Sequence, residues 1–497
     1  MLYNNRKFLI SSISDFVFKA PALTVLMAAV FFSFFGEIYI SGKIEPHNNQ
    51  RVMEVFTITC LTIYLIFKYL IDSPKCVGLM SFPKSLWCFF VLGIVSSSYS
   101  FSPIHALYEV CSFFLFLCCA KYIGRELEID FEAKILVVFR FVGVGCILYI
   151  SRIFLVYIFA LISKIQPQAI DFTPGFGDIR FFSHAQTITL PLLIGLCIFD
   201  RSQVKIKLIW MATLVLWWTL LFVNGGRGSI FGVAIAGLVT YFIRRQQARE
   251  IVRLAAFSAL IGLIFYLIFF FVVPWFFGLS PFGVFQKVVT RTIAGPMSGR
   301  LALWARAACL IAEHPWLGVG PLHFAHHVLD LQINSHPHNL LLQIAAEWGG
   351  PALVFFCAAI VGCMRKIIIS GKTFQIADVE NNNLLSLWLF TGVAILSDSM
   401  VSGLIVMPVS QILIILYISC SIGWWRSVKL PVMAGINKKP LPNYLSMMFL
   451  SVVLFGLLWC VWPKAISLLS GHENSVVDSG LNRVDTNYPR MWDDGYF

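Results

Sequence analysis

Charge is scarce in this chain. Only 12% of its 497 residues are Asp, Glu, Lys or Arg, while 58% are hydrophobic; soluble domains carry about 25% charged residues. Mean hydropathy is +0.81. That balance excludes an ordinary soluble enzyme and predicts an integral membrane protein with many spans. Metal–thiol signatures are missing too. The 13 cysteines form no CxxC pair and no Cys/His spacing of a structural zinc site. Most of them, such as Cys118, Cys119 and Cys146, fall in apolar runs, where a thiol behaves as a small hydrophobe. No internal repeat is visible, which weakens an inverted-repeat transporter. A cleavable signal peptide fits poorly, because Ala20-Pro21 opens a long apolar run with no small-residue cleavage site. The first helix is expected to stay.

What the chain does have is apolar length. Runs at 20–38, 52–70, 83–99, 104–121, 135–161, 184–199, 207–223, 228–243, 254–277, 351–369, 384–401, 405–424 and 445–463 make about 13 spans, each near the length a bilayer requires. With the N-terminus inside, basic clusters such as Arg244/Arg245/Arg249/Arg253 and Arg426/Lys429/Lys438/Lys439 fall on the inner side. About two-thirds of the 37 Lys and Arg then lie there. The net charge of +12 is thus a topology signal rather than a nucleic-acid one. The expected fold is an all-α polytopic integral membrane protein with about 13 transmembrane helices and a large periplasmic loop carrying short interfacial helices. The outer side is the periplasm if the host is a Gram-negative bacterium. The expected divisions are N-terminal helices over 1–161, a core with outer loops over 162–350, C-terminal helices over 351–470 and a polar outer tail over 471–497, poorly ordered from Gly471.

The polar interruption at about 278–350 has its own pattern. Over Gly299–His314 the spacing predicts a helix with Leu301, Trp304, Ala308 and Ile311 on one face, stopped by Pro315. A tight loop follows over Pro315–Pro321, then a second short helix near 322–331. The stretch Ser335-His336-Pro337-His338-Asn339, with Glu347 beyond it, gathers titratable groups just before an apolar span. Such groups are expensive to dehydrate, so their presence beside a span suggests use.

On the outer side three arginines stand out. Arg180 opens a span in Gly177-Asp178-Ile179-Arg180, Arg227 sits in the turn Asn224-Gly225-Gly226-Arg227-Gly228, and Arg300 follows Gly299; Lys287 and Arg291 precede it in the loop. Arginine presents a planar, permanently charged fork suited to phosphate. The outer loops hold no Asp-x-Asp or Glu-x-Asp pair for Mg²⁺ or Mn²⁺, no Walker motif and no GxSxG elbow. A diphosphate there would have its charge balanced by arginines alone. An imidazole such as His338 can take a proton from an attacking hydroxyl, and Asn339 could orient it or bind substrate. If one helix ran from Pro337 into the span at 351, Glu347 would lie on another face from His338 and would cap or pair with an arginine.

These residues resemble a known family. Gly299-Arg300-x₃-Trp304, His314-Pro315-Trp316-Leu317-Gly318-Val319-Gly320 and His336-Pro337-His338-Asn339-x₃-Gln343-x₃-Glu347-Trp348-Gly349 are similar to the shared domain of the O-antigen ligase and polymerase superfamily. That superfamily includes O-antigen ligases, O-antigen polymerases and protein O-oligosaccharyltransferases. The ligase pattern is matched through His338, Asn339 and Gly349 but ends on Ala352 where the family has Gly, Thr or Tyr. Arg180-Phe181-Phe182-Ser183-His184-x-Gln186-Thr187 looks more like the pilin-type transferases.

The resemblance implies a metal-independent inverting glycosyltransferase. It would need no cofactor and would move an oligosaccharide from undecaprenyl diphosphate to a hydroxyl on a pilin-like protein or a lipid A core, at the periplasmic face. It makes His338 the base and gives the diphosphate to Arg180 and Arg227. Arg300, Asn339, His184, Gln186, His336 and Glu347 complete the candidate substrate contacts. Alternatives are an O-antigen polymerase, a cell-wall glycan polymerase of the shape-and-division family and, in another class, a polysaccharide transporter. Of mid-span charges the sequence reading finds only Arg152.

Overall fold

The computed structural model describes residues 13–36, 45–71, 82–283, 299–331, 334–371, 378–429, 443–469 and 490–492. Lys287, Arg291 and most of the tail lie outside them. Among the described residues the chain is helical, with no strand.

In order, the helices are α1 (Ile13–Lys19), α2 (Pro21–Phe35), α3 (Pro46–Ile71), α4 (Lys84–Tyr99), α5 (Pro103–Glu128), α6 (Phe131–Ser163), α7 (Ile179–Phe199), α8 (Val204–Asn224), α9 (Arg227–Arg244), α10 (Arg249–Phe265) and, after a π-helical stretch, α11 (Val273–Phe276). Then come α12 (Arg300–Glu313), α13 (Leu340–Trp348), α14 (Gly350–Gly371), α15 (Val379–Ser399), α16 (Pro408–Lys429) and α17 (Asn443–Leu469). Four of them, α2, α3, α5 and α16, start on proline, whose missing N–H is no loss at the first helical position.

Nine helices among the described residues are long and apolar enough to cross a membrane. The difference from the expected 13 has local causes. The first and third expected spans are the short helices α2 and α4, of 15 and 16 residues. The span expected at 384–401 is α15, which carries Asn382, Asn383, Ser386, Thr391 and Asp398 and is almost wholly buried. The spans expected at 228–243 and 254–277 form one continuous apolar run, Arg227–Phe276. It is broken at Arg245, whose φ of 48° no α-helix adopts.

The centre of the bundle is made by α7, α9 and α15, with α5 against α16 and α8 against α10 beside them. The α9–α15 crossing is close because α9 presents Gly228, Gly232 and Ala236 at four-residue spacing. A Cβ on Gly232 would lie 2.9 Å from the Ala394 carbonyl oxygen and 3.0 Å from Asp398 Cβ. Small residues in this repeat let two backbones approach inside a membrane, where packing rather than the hydrophobic effect holds helices together.

The loop helix α12 forms as the spacing predicts, but on a different face. Leu303, Ala307 and Leu310 are buried against Val319, Phe324, Val328 and Ala346, while Leu301 is 52% exposed. This small second core decides the rotation, each buried Leu contributing about 1.5–3 kcal/mol. Instead of a helix near 322–331 there is one 3₁₀ turn at Ala325–Val328.

The helix expected from Pro337 into the span at 351 is two helices. It breaks at Gly349, whose φ is 91°. The Pro315–Pro321 loop docks on the break: Val319 and Gly320 donate backbone hydrogen bonds to Ala346 and Glu347, and Gly350 donates to Pro315. A Cβ at Gly349 would sit 2.2 Å from the Trp316 carbonyl oxygen, so close approach and left-handed backbone both demand glycine there.

Candidate active site

Three arginines stand at three helix starts. Arg227 is the first residue of α9, Arg300 the first of α12 and Arg180 the second of α7. A helix N-terminus leaves N–H groups unpaired and carries the positive end of the helix dipole, which disfavours a cation. The fold nevertheless gathers these cations. The pKa of Arg300 is lowered, first by burial and then by the charges of Arg180 and Arg227, with Asp398 opposing. Arg180 and Arg227 are exposed and Arg300 is half-buried. Mutual repulsion at three positive helix ends costs stability unless an anion sits among them.

His338 belongs to the same cluster. Its backbone is left-handed, with φ 53°. Two contacts hold the turn around it. The Trp304 indole N–H donates to the Pro337 carbonyl at 2.9 Å. Asn339 caps α13, its Oδ1 accepting from Leu342 N at 3.0 Å while its Nδ2 donates to the Met400 carbonyl at 3.2 Å. The His338 pKa is pushed down to about 3, by burial first and then by Arg300, Arg180 and His184. His338 is therefore a neutral imidazole at ambient pH, the protonation state a base requires.

His336 packs behind it, the two ring centroids 4.2 Å apart. It is 2% exposed and neither ring nitrogen has a hydrogen-bond partner among the described residues. Burial, then His338, Arg490, His184 and Arg180, hold its pKa well below the usual range. The ring fits against Gly403, where a Cβ would lie 2.3 Å from His336 Nε2. Gly403→Ala should therefore push His336 into His338. The expected cost is about 1–3 kcal/mol of stability, read by thermal unfolding in detergent, together with reduced activity; unchanged values in both assays would contradict this packing argument.

His184 lies one turn beyond Arg180 on α7 and faces α15, with Nδ1 3.5 Å from Asp398 Oδ2. That carboxylate also accepts from the Thr187 hydroxyl at 2.6 Å and the Ser229 hydroxyl at 3.1 Å. One buried aspartate thus ties α7, α9 and α15 together just beneath Arg180 and Arg227. Asp398 was missed in the sequence, though a carboxylate in Ser397-Asp398-Ser399 at the end of an apolar span is a signal of the same kind as Arg152.

Three sequence candidates have other duties. Gln186 is fully buried and donates to the Trp217 carbonyl at 2.8 Å, facing α8 rather than the cluster. The Asn339 amide is engaged at both ends as a cap. Glu347 is 0% exposed and pairs with Arg490 at 2.7 Å, so its observed partner is an arginine of the tail. Three residues of the tail, the ones described, depart from expectation. Arg490, Met491 and Trp492 are buried, because Arg51 on α3 donates to the backbone carbonyls of Arg490 and Met491 at 3.0 Å each. Nothing in the spacing of the tail announces that docking.

The site therefore joins loop residues to helix ends from both halves of the chain. Residues 212–357 match the O-antigen ligase family model. The resemblance seen in the residues is thereby shown over this stretch, in a chain whose described residues include nine helices long and apolar enough to cross a membrane. The matched O-antigen ligase segment holds Arg227, Arg300, His336, His338 and Asn339. Arg180, His184, Asp398 and Arg490 lie outside it and reach the site only through folding. No curated protein matches the chain.

Proposed function

We propose that this enzyme transfers an oligosaccharide from undecaprenyl diphosphate to a hydroxyl acceptor, at the periplasmic face of a bacterial inner membrane. The observation that carries this reading is the gathering of Arg180, Arg227 and Arg300, each at a helix N-terminus, with the neutral imidazole of His338 beside Arg300 and Arg180.

In the proposed step an acceptor oxygen attacks the anomeric carbon of the lipid-linked sugar. Its proton passes to His338, the new glycosidic bond forms, and the bond from the anomeric carbon to the diphosphate oxygen breaks. Direct displacement inverts that carbon. The electron pair leaves on undecaprenyl diphosphate, whose growing charge is met by three guanidinium groups and the α7, α9 and α12 helix ends. The polarity of the site fits: cations where the leaving group departs, a proton acceptor where the nucleophile enters. No metal is needed to balance the charge in this scheme. The acceptor is a hydroxyl on a pilin-like protein or a lipid A core; transfer to a second lipid-linked glycan would make the enzyme a polymerase. Mass spectrometry of pilin and gel analysis of lipopolysaccharide from a deletion strain separate these, and loss of neither product together with intact polymer length would reject all three.

A pH profile tests the electrostatics. With its pKa near 3, His338 stays deprotonated in the free enzyme well below the ordinary histidine value of about 6.5. The plot of kcat/KM against pH, which reports the free enzyme, should hold its plateau through pH 6 and fall only in stronger acid. Bound diphosphate offsets Arg180 and Arg300, so the acid limb of kcat should lie at higher pH than that of kcat/KM. A half-loss of kcat/KM near pH 6.5 would contradict a His338 base in this setting.

A further inference from the structure

The tail residue Arg490 is a buried charge that lies outside the arginine cluster. It is 1% exposed. Its Nη2 donates to Glu347 Oε2 at 2.7 Å and to Glu109 Oε1 at 3.1 Å. With the Gln343 amide turned so that its oxygen faces the guanidinium, both terminal nitrogens also donate to it, at 2.8 and 2.7 Å. Gln343 and Glu347 are one turn apart on α13, so one guanidinium grips that helix twice. Glu109 on α5 is the third point.

The far side of the tail peptide is held equally firmly. Arg51 donates to the Arg490 and Met491 carbonyls, and its remaining donors go to Glu54, Gln411 and the Val406 carbonyl. Arg490 thus links α13 to a frame made by α3, α5 and α16. The other end of α13 is the Asn339 cap, which follows His338 directly. Between lie nine residues of helix, a rigid lever that carries a shift at Glu347 to the His338 turn. No other positive side chain among the described residues ion-pairs with Glu347.

We propose that Arg490 is a positioning residue: residues 490–492 dock at the site end of the bundle, and the Arg490 guanidinium sets α13 so that His338 faces the arginine cluster. This rests on the reading of His338 as the base. Arg490 touches neither substrate nor the reacting atoms in this account. It acts through Gln343, Glu347 and the helix they share.

The test uses the purified full-length protein with lipid-linked oligosaccharide donor. Arg490→Ala should lower kcat by up to about 10²-fold, the scale of a small misplacement of a catalytic group, with donor KM near the wild-type value because the arginine cluster is intact. Arg490→Lys keeps the charge but loses the two-pronged grip, so it should recover only part of kcat. If Arg490→Ala does not yield folded protein by size-exclusion chromatography, Arg490→Lys decides alone. Wild-type kcat in a folded Arg490→Ala or Arg490→Lys protein, alongside an inactive His338→Asn protein, overturns the positioning role. So does a rise in KM at unchanged kcat. If His338→Asn itself retains full activity, the underlying reading of the base falls instead.

Discussion

His338→Asn abolishes glycan transfer while leaving protein level and thermal unfolding close to wild type, and lipid-linked donor accumulates in the cell. Asparagine is the informative replacement, because His338 occupies the left-handed region at φ 53°, which Asn tolerates better than Ala. The backbone of the turn and the Trp304–Pro337 and Asn339 contacts then survive. Only the proton acceptor is removed. A positioned base contributes about 10²–10⁴ in rate, and that loss should fall on kcat. The neighbouring His336 supplies the control. Its ring is enclosed behind His338 and against Gly403, so His336→Asn should cost activity through packing and should leave the acid limb of kcat/KM in place. Single-turnover transfer from purified donor reads both. Normal turnover in His338→Asn would remove it as the base.

The second large effect belongs to the arginines. Arg227→Ala should reduce turnover by about 10²–10³, the usual loss when one preorganised partner of a developing charge is removed. Arg227→Lys should restore little of it, since a point charge cannot reproduce the fork. The same is expected of Arg180, and to a lesser degree of the more enclosed Arg300. Combined replacements should be far from additive, because the three act on one leaving group. The stability of these variants should move the other way. Removing one cation from three converging helix N-termini relieves repulsion and dipole mismatch, so unfolding temperature in detergent should stay level or rise. An arginine variant that loses activity and unfolds early would instead mark a structural role. Full activity in Arg227→Ala would leave the diphosphate without its proposed clamp.

Much of this was legible in the residues. Apolar run length announced a helical membrane bundle, and two break points followed, the Pro21 start of α2 and the glycines of the α8–α9 turn; the break at Gly349 did not. Arg180, Arg227, Arg300 and His338 stood out because each is a polar residue where the chain has little reason to place one. Their partners were less visible. Asp398 sits inside what reads as a span, and its carboxylate becomes meaningful only when α7 and α9 bring Thr187, His184 and Ser229 to it. Gln186 was a reasonable candidate beside His184, yet two residues along a helix turn a side chain to another face. The phase of α12 failed for a related reason. Its exposed Leu301 and buried Leu303 are both apolar, and only the second core could choose between them.

The sequence by itself determined composition, helical class and the chemical types at the site, because length, hydropathy and the position of a charge relative to a span are local properties. Tertiary structure alone decided which of those groups meet. Arg180 and His338 are far apart in the chain, and Arg490 is farther still, yet His184, His336, His338 and Asp398 share one end of the bundle. That meeting depends on how closely α9 and α15 cross over Gly228 and Gly232, and on a tail arginine finding two buried carboxylates on different helices. Non-local packing of this kind leaves no period or spacing in a single chain to be read.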